Sequence, residues 1–128
     1  MAHRSVTILV LVASLLAALP ASAFWAWMRG AALNEFTDSD REMLRAEARR
    51  VLDEEADGSR TDWTNPETGN GGSIKPLKTL TVAGQTCRQT AFRQVTASGL
   101  KGQAVYHLCQ QNDGTWRFIA ASSLKSDG

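Results

Sequence analysis

Cys87 and Cys109 lie symmetrically about Ser98, and Ser98-Gly99 is itself a turn signal. A hairpin folded there, unbulged and with a three-residue loop, sets the two cysteines directly opposite each other. A bond between them would close a loop of about 23 residues and contribute on the order of 3 kcal/mol by the chain-entropy model. That is a large share of the stability of a small domain. The two segments flanking this turn are therefore expected to be neighbouring antiparallel strands.

The pairing needs an oxidising compartment, and the start of the chain supplies one. Met1 to Arg4 is a short basic stretch, Ser5 to Leu19 is apolar, and Pro20-Ala21-Ser22-Ala23 is small. This pattern reads as a secretory signal peptide over 1–23, cleaved after Ala23. The rival reading is an uncleaved anchor, since the apolar run continues through Phe24-Trp25-Ala26-Trp27-Met28. Export with just two cysteines argues for one disulfide. The formal net charge of +1 falls to about zero once Arg4 is removed. No basic excess remains to neutralise phosphates, which argues against nucleic acid as a partner.

Residues 24–38 read as an apolar and aromatic N-terminal arm, 39–122 as the folded domain and 123–128 as a disordered tail. Ser39 followed by Glu42 suggests a capping box, and Leu44, Ala48, Val51 and Leu52 form one apolar stripe, so a helix is expected over 39–57. Arg49 with Asp53 and Arg50 with Glu54 are i,i+4 pairs on its wet face, and Gly58 is its stop. Beyond it the period falls to two, with strands near 74–83, 85–96, 102–111 and 115–121. The expected class is α+β: one N-terminal amphipathic helix packed on a four-stranded antiparallel sheet with one cross-strand disulfide. A two-residue turn at Asp113-Gly114 places Trp116 and Phe118 on the face of Cys109, with Phe92, Tyr106 and Leu108 on the other.

Between helix and sheet stands Trp63-Thr64-Asn65-Pro66-Glu67-Thr68-Gly69-Asn70-Gly71-Gly72. Its Asn-Pro step and glycines specify one tight loop, with Trp63 turned inward and Glu67 to Asn70 at the tip. The order helix, W-x-N-P-x-T-G-x-x-G, C-R, A-x-Y-x-x-C, D-G-x-W resembles the bacterial 17-kDa surface antigen family. The matching residues are Leu52, Gly58, Trp63, Asn65, Pro66, Thr68, Gly69, Gly72, Cys87, Arg88, Cys109, Asp113, Gly114 and Trp116. The resemblance covers about 40 to 119 and implies a small outer-membrane or surface protein with no catalytic residues to transfer. Lipid-anchored members carry a lipobox cysteine, whereas Ala21-Ser22-Ala23-Phe24 has none. The glycine-zipper segment of longer members is missing as well. A periplasmic, secreted or surface location follows, with Phe24, Trp25 and Trp27 offering a peripheral membrane contact.

Other chemistry is weaker. Asp53-x-Glu55-x-Asp57 tracks the first positions of a calcium loop, but Thr64 stands where its final glutamate belongs. His107 lacks a sequence-adjacent nucleophile or orienting acid, although Ser98 and Asp113 exist. Two Cys and one His do not complete a zinc site, and distant cysteines do not make a redox pair. No cofactor or metal is expected. Arg88, Arg93, Lys101 and Arg117 could form a basic strip, for which an ordinary wet face is the simpler account at zero net charge.

The sequence is thus read as a non-enzymatic cell-envelope scaffold presenting an interaction surface to an envelope component. The first alternative is a periplasmic binding module for cell-wall glycan or lipid, with Trp63, Arg88 and Tyr106 as ligand contacts. The second is a small envelope hydrolase using His107.

Overall fold

The computed structural model describes residues 30–120. The leader, the Phe24-Trp25-Ala26-Trp27 segment and the tail from 121 lie outside the described residues. A short helical segment over 30–34 precedes helix α1 (Asp38–Glu54). Then come β1 (Thr61–Thr64), β2 (Gly71–Val82), β3 (Gln85–Val95), β4 (Lys101–Gln110) and β5 (Trp116–Ile119). They form one antiparallel five-stranded sheet in chain order.

The class is the expected α+β, with two corrections. The sheet has five strands and not four, because Thr61–Thr64 pairs with the start of β2 as an edge strand. Four residues give too little alternation to be read as a strand. The helix is also not the first element, since 30–34 is helical and Ala32, Leu33 and Phe36 pack into the domain.

Helix α1 begins one residue earlier than expected and is capped elsewhere. Thr37 Oγ1 accepts from Asp40 N at 3.2 Å, and Asp40 Oδ2 accepts from Thr37 N at 2.8 Å. This is a capping box on Thr37 and Asp40, replacing Ser39 and Glu42. The helix ends at Glu54, with Gly58 in the following turn at φ +87°. Arg49–Asp53 and Arg50–Glu54 are both present as exposed ion pairs, at 3.9 and 3.7 Å. Such pairs contribute a few tenths of a kcal/mol each, about 0.3–0.5.

The cysteine symmetry holds. Cys87 faces Cys109 and the register runs unbroken to Val95 opposite Lys101. Thr96 N then donates to Leu100 O at 2.9 Å and Gly99 N to Thr96 O at 3.0 Å, leaving the three-residue loop Ala97-Ser98-Gly99. Gly99, at φ +95°, supplies the left-handed residue this loop type requires. The disulfide is formed, with S–S 2.02 Å across a separation of 22 residues. Reduction, or the Cys87→Ala/Cys109→Ala pair, should lower the unfolding free energy by about 3 kcal/mol. Urea denaturation of the oxidised and reduced chain measures it, and an unmoved midpoint would show that the bond constrains nothing.

The β4–β5 hairpin repeats this geometry, and here the expected register is off by one. Gln111 N donates to Thr115 O at 2.7 Å and Gly114 N to Gln111 O at 2.9 Å, so the loop is Asn112-Asp113-Gly114, again of three residues. The extra residue pairs Leu108 with Phe118 and Cys109 with Arg117. A one-residue slip moves every side chain of the strand to the other face. Trp116 and Phe118 thus lie on the face of Phe92, Tyr106 and Leu108, away from the disulfide.

That face takes the helix. Phe36, Val51, Leu52, Trp63, Ile74, Phe92 and Leu108 form the core, flanked by Leu33, Met43, Leu44, Ala48 and Trp116. Burying a Val, Ile or Phe side chain contributes about 1.5–3 kcal/mol. Trp63 is turned in, 6% exposed, with its ring edge-to-face on Phe36 at 5.7 Å. Gly72, its partner across the ladder, has no room for a side chain: a Cβ there would overlap the Arg93 carbonyl.

Candidate functional site

The polar residues of the Trp63–Gly72 stretch converge on one carboxylate. Asp40 is fully buried at the start of α1. Its Oδ1 accepts from Thr68 Oγ1 at 2.6 Å and Asn65 Nδ2 at 2.8 Å, and its Oδ2 from Asn70 Nδ2 and Thr37 N at 2.8 Å each. Burial by itself would push this carboxyl up. The donors from Thr68, Asn70, Thr37 and Asn65 outweigh it and hold Asp40 far below the usual carboxylate range. No basic side chain is among these donors, so the charge is held by dipoles and the helix N-terminus.

The loop is shaped for that purpose. Asn65 O accepts from Gly69 N at 2.8 Å, and Asn65 Oδ1 accepts from Glu67 N at 3.1 Å across Pro66. Gly69 closes the turn at φ +77°. Asn70 then reaches two ways: Oδ1 accepts from Ala97 N at 2.9 Å while Nδ2 serves Asp40. One loop therefore ties the helix start to the β3–β4 turn. Glu67 remains outside, with Ser39 Oγ donating to its Oε2 at 3.0 Å.

Arg88 does the same at the other end of α1. Its guanidinium donates to Leu52 O at 2.9 Å, Val51 O at 3.3 Å, Thr79 Oγ1 at 3.1 Å and Asp57 Oδ1 at 2.8 Å. Helix C-terminal carbonyls attract a cation, and the fork of the guanidinium matches several acceptors at once. The hydrogen bond from Arg88, against the effect of burial, holds the Asp57 carboxyl below its ordinary range. Trp116 Nε1 donates to Asp53 Oδ1 at 2.8 Å and adds a third tie to the helix end. Asp113 accepts from Thr115 N and Oγ1 at 3.0 and 2.6 Å, shaping the turn that aims Trp116.

Of the three candidate ligand contacts, then, Trp63 and Arg88 are buried against the helix and Tyr106 alone reaches solvent. Tyr106 stands between Phe92 and Phe118 in an edge-to-face ladder, with centroids 5.8 and 5.2 Å apart. Phe118, at its end, is 65% exposed. The basic strip is regrouped too. Arg88 faces the helix, whereas Arg93, Lys101 and Arg117 lie on the opposite face by register, joined there by Lys75 and Lys78. Sequence parity held this signal, because Arg88 is even-numbered on a strand where Arg93 is odd.

Among the described residues, the sequence candidates for catalysis and for a calcium loop are not brought together. Ser98 and Asp113 sit in the turns at opposite ends of β4, which carries His107, and Ser98 Oγ donates to Glu35 at 2.6 Å. Asp53, Glu55 and Asp57 each face different partners: Trp116, Arg50 with Ser59, and Arg88 with Thr79. Among the described residues no group of three or more His, Cys, Asp or Glu side chains could hold a metal ion. No described helix is long and apolar enough to cross a membrane.

The Asp40 site went unread in the sequence, though a signal existed. Asp40 lies four residues before Leu44 and eight before Ala48, on the apolar stripe itself. An acid there must be satisfied by donors, and Asn65, Thr68 and Asn70 supply them.

Residues 50–117, just over half of the chain, match the family model described as 17 kDa outer membrane surface antigen. Proteins named 17 kDa surface antigen are similar over much of the sequence. That of Rickettsia prowazekii (strain Madrid E) is 37% identical over 84 residues, covering 64% of this chain and 52% of the relative. That of Rickettsia conorii (strain ATCC VR-613 / Malish 7) is 35% identical over the same length and shares. That of Rickettsia bellii (strain RML369-C) is 34% identical over 92 residues, 70% of this chain and 55% of the relative. The chain spans about half the length of the curated relatives it matches. No solved structure matches.

Proposed function

The chain belongs to the 17 kDa outer membrane surface antigen family, and on that premise we propose that it is a non-enzymatic cell-envelope scaffold that presents an interaction surface. One observation carries this reading: the polar motif residues are consumed in holding helix to sheet. Asn65, Thr68 and Asn70 are spent on Asp40, and Arg88 on the helix end. What remains for contact is the loop tip at Glu67, the Tyr106–Phe118 edge and the sheet face away from the helix. Export to the periplasm or outer membrane, through the leader expected over 1–23, completes the proposal.

The test places a photo-activatable cross-linker at Glu67, Gln103 or buried Ile74 in the exporting cell. Discrete adducts with an envelope component are expected from an exposed position and none from Ile74. Turnover of cell-wall or lipid substrates by the purified chain, lost in His107→Ala, would replace this reading with the hydrolase.

A further inference from the structure

The sheet face opposite α1 carries a cation in each of five successive cross-strand rungs. Lys101 stands opposite Val95, Arg93 between Ser73 and Gln103, and Lys75 beside Ala91 and Val105. Lys78 shares a rung with Gln89, His107 and Ile119, and Arg117 with Leu80, Cys87 and Cys109. At the usual spacings of about 3.4 Å per residue and 4.8 Å per strand, these positions span about 27 Å by about 14 Å. None of the five forms an ion pair among the described residues. The acid on this face is Asp62, held by Arg60 at 2.9 Å. Asp113, in the adjoining turn, feels the charge of Arg117 but is bonded to Thr115.

A formal net charge of +1 for the whole sequence conceals this arrangement. Five cations on one face, outside every ion pair of the described residues, require an acidic surplus elsewhere, so the charge is segregated and not merely balanced. Net charge sums over directions, whereas a docking surface meets one of them.

We propose that this face docks the protein on a phosphate-bearing anionic lipid surface. The inference rests on the scaffold reading and names the surface that the scaffold presents. The cations are spread over β2, β3, β4 and β5 in two dimensions, which matches a planar array of headgroups. A linear polyanion would be met by a single stripe. Three of the five are lysines, point charges on long apolar stems suited to a fluid interface. Val105, 46% exposed near the middle of the face, adds an apolar contact among them. Each cation near such a surface strengthens binding about fivefold, and salt weakens the attraction.

The experiment uses the chain as recovered from the exporting cell, co-sedimented with vesicles of phosphatidylcholine alone or with about one-third phosphatidylglycerol. Binding is expected on the mixed vesicles only, falling at least about tenfold between about 0.02 and 0.5 M salt. The Lys75→Gln/Lys78→Gln/Lys101→Gln variant should bind about a hundredfold more weakly with an unchanged melting temperature. Arg45→Gln/Arg49→Gln, on the helix, should bind within about twofold of the parent. Equal binding to both vesicles would assign the contact to apolar residues and overturn the proposal. So would an unaffected triple variant, or no binding to mixed vesicles. Tighter capture by soluble polyphosphate would point to a linear polymer, and full competition by inorganic phosphate to a single-anion site; either result also overturns it. If vesicle binding fails while envelope adducts persist at Glu67, the lipid inference falls and the scaffold reading stands.

Discussion

Asp40→Asn is expected to destabilise the protein by about 3–5 kcal/mol, although it changes one atom. Each carboxylate oxygen accepts two hydrogen bonds: Oδ1 from Asn65 and Thr68, Oδ2 from Asn70 and Thr37 N. An amide can replace one oxygen only. Whichever way it is turned, two donors, one of them on a buried asparagine, face an NH2 group and lose their acceptor. The same site sets the acid limit of the fold. The folded carboxyl lies well below its unfolded value of about 3.9, so its contribution is complete above that pH and is lost progressively as pH falls below it. Asp57 and Asp113 are depressed in the same direction and add to the slope. Urea unfolding at a series of pH values should show parent stability declining below about pH 5. In Asp40→Asn the curve should start lower and decline less steeply. A variant within about 1 kcal/mol of the parent at neutral pH would mean that the loop holds the helix by packing and not through this carboxylate.

What was legible in the sequence was whatever follows from apolar period and from symmetry. Leu44, Ala48, Val51 and Leu52 gave the helix and its buried side, and the midpoint of Cys87 and Cys109 gave the register of the central hairpin. Two kinds of feature escaped. The first is a turn whose dipeptide signal fits two lengths. Asp113-Gly114 reads as a two-residue turn, yet Asn112-Asp113-Gly114 closes like Ala97-Ser98-Gly99, with glycine third and left-handed. That single residue decided which face Trp116 and Phe118 occupy. The second is a polar residue doing core work. A charge in a first helical turn is ordinarily explained by the helix dipole, which masks the place of Asp40 on the apolar stripe, and a strand arginine is ordinarily read as part of the wet face, which masks the parity of Arg88. Their partners, distant in sequence, are identified only when the fold brings donors and acceptors together.

Arg88→Met should cost about 3–5 kcal/mol, most of it from the helix end and little from the salt bridge it also breaks. The guanidinium is 7% exposed and its partner carboxylate on Asp57 is 39% exposed. Asp57, left alone, can turn to water. Val51 O and Leu52 O lose a charged donor in the interior, where a buried acceptor has few substitutes, while Thr79 Oγ1, on an exposed residue, can turn to water. A double-mutant cycle with Asp57→Asn therefore predicts a coupling of about 1 kcal/mol or less, well short of the single-variant loss. Arg88→Lys should recover only part of it. One ammonium cannot reach the carbonyls, the threonine and the aspartate, which the guanidinium meets through three different nitrogens. Hydrogen exchange should rise first in the last turn of α1, where the lost bonds lie, and remain slow in the disulfide-bonded hairpin. If the double variant recovers most of the stability, then the Asp57 pair is what Arg88 serves, and the helix C-terminus is held by Trp116 on Asp53 instead.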